Sequence, residues 1–170
     1  EEEATASAKA EEVLDRFPEA FTGAYFEMMG NKLGIVNQVE EDRDLVNSGL
    51  KLLAKWRVDY TNFFTELRRG GDLINKLREE EAFENWYSRW EKARLRGTSL
   101  TKSNALMAQT NPVAIPRNHL VEEVLQSAVA GDMQPFLSFL QELSSPYDDG
   151  LSLQTVPAGF DASYQTFCGT

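Results

Sequence analysis

The sequence of 170 residues has very little of two residue types on which many active sites depend, since it contains one cysteine and one histidine. A single cysteine excludes a disulfide within the chain and argues for a reducing compartment, and a single histidine excludes a histidine-rich metal site. A Ser-His-Asp triad would have to use His119. The phosphate-binding motifs GxGxxG and GxxxxGK[ST] and the nucleophile motif GxSxG are also absent. Few of the patterns that identify an active site are therefore present.

Long apolar runs are absent as well. No segment approaches the roughly 20 apolar residues that cross a bilayer, so the sequence predicts no membrane partner. The first residues, EEEATASAKAEEV, are acidic and lack the apolar stretch of a signal peptide. They also lack an initiating methionine, so we expect the chain to begin within a longer protein.

Positive charge is scarce and unevenly distributed. The net charge is −10, from 17 Lys and Arg against 27 Asp and Glu. Residues 1–50 carry −8, residues 51–98 carry +3 and residues 99–170 carry −5, which sum to −10. An acidic chain repels phosphate backbones, so we expect no nucleic-acid partner. The stretch RWEKARLR (89–96) is either a local anion patch or, as we favour, the solvated face of a helix.

What the sequence does contain is helical periodicity along most of its length. Apolar residues recur at three- and four-residue steps up to Leu33, where Gly34 predicts a helix end, and again from Leu45 to Trp56. Asp59 is typical of an N-cap, and Gly70-Gly71 predicts a break. Because no strand alternation is present, we expect a mostly α, bundle-like fold.

The C-terminal part predicts two further helices and a tail. Asn111-Pro112 ends a short helix, and Pro116 suits the first turn of the next one. A following helix is expected to turn Phe136, Phe139, Leu140 and Leu143 inward and to end before Pro146. No periodicity follows. We therefore divide the chain into a helical segment, 1–146, and an irregular tail, 147–170, that lies along a surface.

Candidate site residues are few. His119 precedes Glu122 and Glu123 at helical spacing, so the three could face one metal ion. They are too few ligands alone and are expected on the polar side of a helix.

A stacking surface for a base or peptide could be formed by Trp86, Tyr87 and Trp90, although their spacing favours the core. Arg117 and Asn118 follow two prolines, and we interpret them as a brace for the 111–118 turn rather than an anion site.

Several stretches resemble the C-terminal part of selenoprotein O proteins. They are FPEAFTGAYFEMMGNKLGI, YTNFF (60–64), the tryptophan pair followed by ARLR, and above all NPVAIPRNHLVEEVLQSAVAGDMQPFLSFLQELSSPY (111–147). The resemblance covers essentially the whole chain. It implies the C-terminal part of a protein-kinase-like C-lobe in a pseudokinase-like enzyme that transfers AMP from ATP to Ser, Thr or Tyr hydroxyls of proteins.

The family's catalytic residues lie upstream of the matching part, so no catalytic, cofactor or metal residue is assigned here. ATP and Mg²⁺ or Mn²⁺ are implied for the full-length protein, but not as ligands of this segment. The implied partners are the upstream kinase-like domain and the protein substrates. A bacterial member is expected in the cytoplasm, and a eukaryotic one in mitochondria or another organelle.

The resemblance also gives Cys168 a role. Animal members end with a Cys-X-selenocysteine redox pair, whereas this chain ends Cys168-Gly169-Thr170. Thr170 stands where selenium would be, so any disulfide must reach a thiol upstream or in another protein. We expect an accessible, redox-active thiol, the alternative being an unreactive one with an ordinary pKa of about 8.5.

Two other functions remain open from the sequence. The chain could be a free-standing helical adaptor that binds partners through its aromatic or basic residues, or, more remotely, a metal-dependent hydrolase using His119. A kinase-like Gly-rich loop, Lys and metal-binding Asp upstream of this sequence would distinguish the enzyme from the adaptor.

Overall fold

A computed structural model describes residues 2–160 and 164, with side chains from residue 11 onward, and it is helical with no strand in that part of the chain. The prediction of a mostly α fold is confirmed. The helices are α1 Glu2–Lys32, α2 Asp42–Trp56, α3 Tyr60–Arg69, α4 Asp72–Leu77, α5 Glu81–Arg94, α6 Leu100–Thr110, α7 Asn118–Val129 and α8 Gln134–Leu143. Of these helices, none is long and apolar enough to cross a membrane.

The predicted helix ends follow local chemistry. Asp59 is the N-cap of α3, and its side chain accepts a hydrogen bond from the backbone N–H of Asn62 at 2.8 Å. Gly70 ends α3 at φ 70°, and Gly34 follows α1 at φ 71°, a left-handed conformation that glycine adopts at little cost. These positions confirm the predicted N-cap at Asp59, the predicted helix end at Gly34 and the predicted break at Gly70-Gly71.

The chain forms two compact units, Glu1–Thr110 and Asn111–Thr170. In the first, α2 packs on α5, and both α1 and α3 pack on α6. Its core is aromatic, with Trp90 fully buried and Phe63 and Phe83 each 1% exposed. Trp86 and Trp90 stack with their ring centroids 6.2 Å apart. The favoured core role of the tryptophans is therefore confirmed.

In the second unit, α7 and α8 pack against each other. Gly131 lies in the connection between them at φ 95°, a left-handed conformation that glycine adopts at little cost. An apolar cavity of about 170 Å³ lies between the two helices, and Phe136, Phe139 and Leu143 line it. Leu140 also lines the cavity, as predicted for an inward-facing residue, but 55% of it remains exposed. Two short helices present too little surface to enclose that side chain.

The start of α7 also differs from the prediction. Pro116 does not lie in its first turn, because Arg117 is the N-cap and has an extended backbone, with ψ 135°. The N–H of Arg117 donates to the carbonyl of Ile115 at 2.8 Å, which closes a tight turn around Pro116 before the helix begins. The division into segments 1–146 and 147–170 stays a prediction.

Candidate functional site

The turn before α7 carries the residues that the sequence singled out. The N–H groups of Val113 and Ala114 donate to the carbonyl of Pro146, at 2.7 and 3.3 Å, so this turn is joined to the segment after α8. Arg117 is 8% exposed, and its carbonyl accepts from the N–H of Val121 at 3.0 Å. The predicted role of Arg117 as a brace for this turn stays a prediction. Asn118, the first residue of α7, is exposed.

Two aromatic residues of the tail contact α7. The rings of His119 and Phe160 meet edge to face with centroids 5.6 Å apart, and Phe160 stacks on Tyr164 at 5.0 Å. The hydroxyl of Tyr164 donates to Oε1 of Glu122 at 3.3 Å. Burial, together with the Glu122 carboxylate, raises the pKa of the Tyr164 hydroxyl. Phe160 and Tyr164 therefore lie on the His119 and Glu122 side of α7, whereas Gln154, earlier in the tail, donates to Glu142 of α8 at 2.8 Å.

This contact was not foreseen in detail. The sequence pattern predicts only that His119 and Glu122 lie on the polar side of a helix and that the tail follows a surface. The sequence does show a helical spacing in each of the two segments. Phe160 and Tyr164 are four residues apart, and His119 and Glu122 are three residues apart. A spacing does not say which two segments meet, because that depends on how the chain returns after α8.

The structure gives the metal hypothesis no support within the part of the chain that it describes. No group of three or more His, Cys, Asp or Glu side chains lies close enough to hold a metal ion there. His119 is 7% exposed and packs on Phe160, whereas Glu123 is exposed. Cys168, the predicted redox residue, lies outside the described residues.

The basic stretch after the tryptophans is neither an open anion patch nor a simple solvated face. Arg89 pairs with Asp44 at 2.6 Å, and Arg96 contacts both carboxylate oxygens of Asp42, at 2.9 and 3.0 Å. Arg94 is 6% exposed, lies 4.4 Å from the centre of the Trp90 ring and donates to Asn104 at 2.7 Å. Burial lowers the pKa of its guanidinium. These arginines are engaged in structural contacts.

A groove beside α1 in the first unit does not suit a nucleotide. It encloses about 480 Å³ between α1 and the segment before α2, and its charged lining consists of Glu27, Glu40, Asp42 and Arg43. Arg43 is paired with Glu40 at 2.8 Å, and its guanidinium lies over the Phe26 ring. Three carboxylates around one paired arginine repel phosphate groups. The acidic lining of this groove therefore does not suit the phosphate groups of ATP.

Comparison with known proteins assigns the chain by its sequence. Residues 4–144 match the family model described as protein adenylyltransferase SelO. A protein nucleotidyltransferase YdiU of Bacillus cereus (strain ZK / E33L) is 36% identical over 176 aligned residues, which cover 100% of this chain and 36% of that protein. A protein of the same name from Roseobacter denitrificans is 33% identical over 95% of this chain and 34% of its own length. The chain thus spans about a third of the length of these relatives.

Proposed function

The chain belongs to the protein adenylyltransferase SelO family, and from this premise we propose that it is the non-catalytic C-terminal part of an enzyme that transfers AMP from ATP to hydroxyl groups of proteins. The observation that carries the proposal is the family match over residues 4–144, supported by relatives named protein nucleotidyltransferase. The family match does not favour the alternative of a free-standing adaptor.

In this proposal the chain supports the part of the enzyme that binds ATP. The helices of the first unit enclose an aromatic core, and the acidic groove beside α1 does not fit a nucleotide. ATP and Mg²⁺ or Mn²⁺ would therefore bind to residues outside this chain. Its partners would be the kinase-like domain of the same polypeptide and the protein substrates that accept AMP. The relatives are bacterial, and a cytoplasmic location for a bacterial member stays a prediction.

An AMP-transfer assay tests whether catalysis requires residues outside this chain. The gene product that contains this chain and the 170-residue chain alone are each incubated with labelled ATP, Mg²⁺ or Mn²⁺ and a generic protein acceptor. We expect label transfer by the gene product and none by the chain alone above a control without protein. Transfer by the chain alone would place the chemistry within it. Failure of the gene product to transfer label would favour the adaptor.

The proposal includes redox regulation through Cys168, which follows from the family resemblance of the terminus. The chain has one cysteine, so a regulatory disulfide needs a thiol elsewhere in the protein or in a partner. AMP transfer by oxidised and reduced gene product is expected to differ, and Cys168→Ser is expected to abolish the difference. A variant that still responds to oxidation as the unmodified protein does would assign the redox response to another residue.

A further inference from the structure

One side of the N-terminal half of α1 is apolar and exposed. Val13 and Leu14 are each 68% exposed, Phe17 is 63% exposed and Phe21 is 59% exposed. We call these four residues the α1 stripe. Leu14, Phe17 and Phe21 follow at three- and four-residue steps, and Val13 lies four residues before Phe17, which places all four on one side of the helix. Single exposed apolar residues are common on protein surfaces, but four large ones in a row on a helix mark an interaction surface.

The α1 stripe continues directly into the core of the first unit. The ring of Phe17 stacks on Phe21 with centroids 5.8 Å apart, and Phe21 stacks on Tyr25 at 6.3 Å. Tyr25 packs against the core, and Met29, one turn further, is 2% exposed. The row of rings therefore leads from the exposed stripe to Tyr25 on the core, whereas Met28, which lies on the same side of the helix as Phe17, is 41% exposed.

The opposite side of the same half-helix is acidic. At about 100° per residue, Glu12, Asp15 and Glu19 fall on the side away from Phe17. Over residues 11–28 there are five acidic side chains and one basic one, a net charge of −4. The helix is thus built to bury one side and to leave the other in water.

The charge of this segment argues against two occupants of the stripe. A second copy of the chain would bring another helix of charge −4 alongside the first, and like charges oppose such pairing. Helices that lie on membranes carry Lys and Arg on their polar side, which anionic lipids attract. An acidic polar side is repelled by the same lipids.

The length of the relatives points to a third occupant of the α1 stripe. In the Bacillus cereus protein the matched region is 36% of the length, which leaves 64% outside it. We propose that the α1 stripe docks against that remaining part of the same polypeptide, so that α1 joins the aromatic core of this chain to the part that would carry the catalytic residues. This proposal rests on the proposed function in one respect, namely that the gene product extends beyond this chain as its relatives do.

Site-specific photo-crosslinking in the intact gene product tests the proposal. The photoreactive amino acid p-benzoylphenylalanine is placed at position 17 in one variant and at position 19 in a second, which probes the acidic side of the same helix. We expect the probe at Phe17 to give an intramolecular crosslink to residues outside this chain, and the probe at Glu19 to give at least fivefold less of it. Crosslinks between two copies, to lipid, or only to residues within these 170 would overturn the proposal, as would an absence of crosslinks.

A pair of double variants distinguishes the loss of docking from a general loss of folding. Phe17→Ser combined with Phe21→Ser in the gene product removes two aromatic rings of the α1 stripe, whereas Glu12→Ser combined with Glu19→Ser changes the opposite side. We expect hydrogen exchange in residues 11–21 to speed up at least tenfold in the first variant only. Equal exchange in both would contradict docking. Neither experiment needs AMP transfer, so an inactive gene product with the expected crosslink would refute the proposed function while leaving the docking surface intact.

Discussion

The indole N–H of Trp90 donates to the backbone carbonyl of Leu33 at 2.8 Å, and 57 residues of sequence separate the two. Leu33 follows directly on the last residue of α1, and both side chains are almost completely buried. This hydrogen bond therefore connects α5 to the end of the helix that carries the α1 stripe, inside an apolar core where an unpaired carbonyl is costly.

Replacement of Trp90 by phenylalanine tests that connection. Trp90→Phe retains an aromatic ring but removes the donor, and we expect the free energy of unfolding to fall by about 1–3 kcal/mol because the buried carbonyl of Leu33 loses its partner. Chemical denaturation measures the change. Trp56→Phe is the matched control, since the structure shows no hydrogen bond from the half-buried Trp56 indole to any residue it describes. Equal losses in both variants would mean that ring size, not the hydrogen bond, matters.

Two glycines in helices are expected to respond oppositely to the same substitution. A Cβ atom at Gly49 would lie 2.8 Å from Nε1 of Trp86, whose N–H is held by the carbonyl of Leu45 at 2.8 Å. Gly49→Ala should therefore destabilise the protein by about 1–3 kcal/mol through overpacking.

At Gly23 nothing lies within 4 Å of an added Cβ atom. Gly23→Ala should stabilise the chain by about 0.5–1 kcal/mol, because alanine loses less backbone entropy in a helix. Thermal melts of both variants check the signs. A stabilising Gly49→Ala would show that α2 and α5 can move apart at Trp86.

The ion pair of Arg78 and Glu84 predicts a pH-dependent contribution to stability. Nε of Arg78 lies 2.7 Å from Oε2 of Glu84, and this hydrogen bond lowers the pKa of the Glu84 carboxyl below its usual value of 4.5. A lowered carboxyl pKa contributes stability above the usual value, and that stability is lost as the pH falls through the folded-state pKa. Glu84→Gln should therefore lower the melting temperature slightly at pH 7 and leave it unchanged at pH 2. An equal decrease at both pH values, with exposed Glu79→Gln as the control, would refute this linkage.

The sequence predicted the helices well and the contacts between distant segments poorly. Asp59 and Gly70 mark helix ends because caps and left-handed turns are decided by adjacent residues. The pairing of Asp42 with Arg96 depends on tertiary packing, whereas the sequence pattern predicts only a solvated helix face for the stretch that contains Arg96. The candidate site shows the same difference between local features and contacts of distant segments. Arg117 was identified from its neighbouring prolines, whereas the contact of Tyr164 with Glu122 required knowledge of the chain path after α8.

The proposed brace at the start of α7 predicts unequal effects of two neighbouring substitutions. Arg117 is buried and Asn118 is exposed, so Arg117→Ala should lower the free energy of unfolding by about 1–3 kcal/mol as buried polar groups lose their partner. Asn118→Ala should also destabilise the turn if it shares the bracing, but by less than Arg117→Ala. Melting temperatures of the two variants measure this order. An unchanged melting temperature for Arg117→Ala would instead favour a ligand-binding arginine.

The proposed redox role of Cys168 predicts how fast the thiol reacts. Accessibility and thiolate fraction set the rate of alkylation, so an accessible Cys168 in the native chain should react with a thiol-reactive dye about as fast as a small thiol of similar pKa. The rate should rise with pH towards the ordinary thiol pKa of about 8.5. Tyr164→Phe removes the hydroxyl that contacts Glu122, and we expect it to leave the rate unchanged because Cys168 lies four residues further along the chain. Slow labelling that accelerates only on denaturation would show a packed, structural cysteine, and acceleration by Tyr164→Phe would show that the contact with α7 shields the thiol.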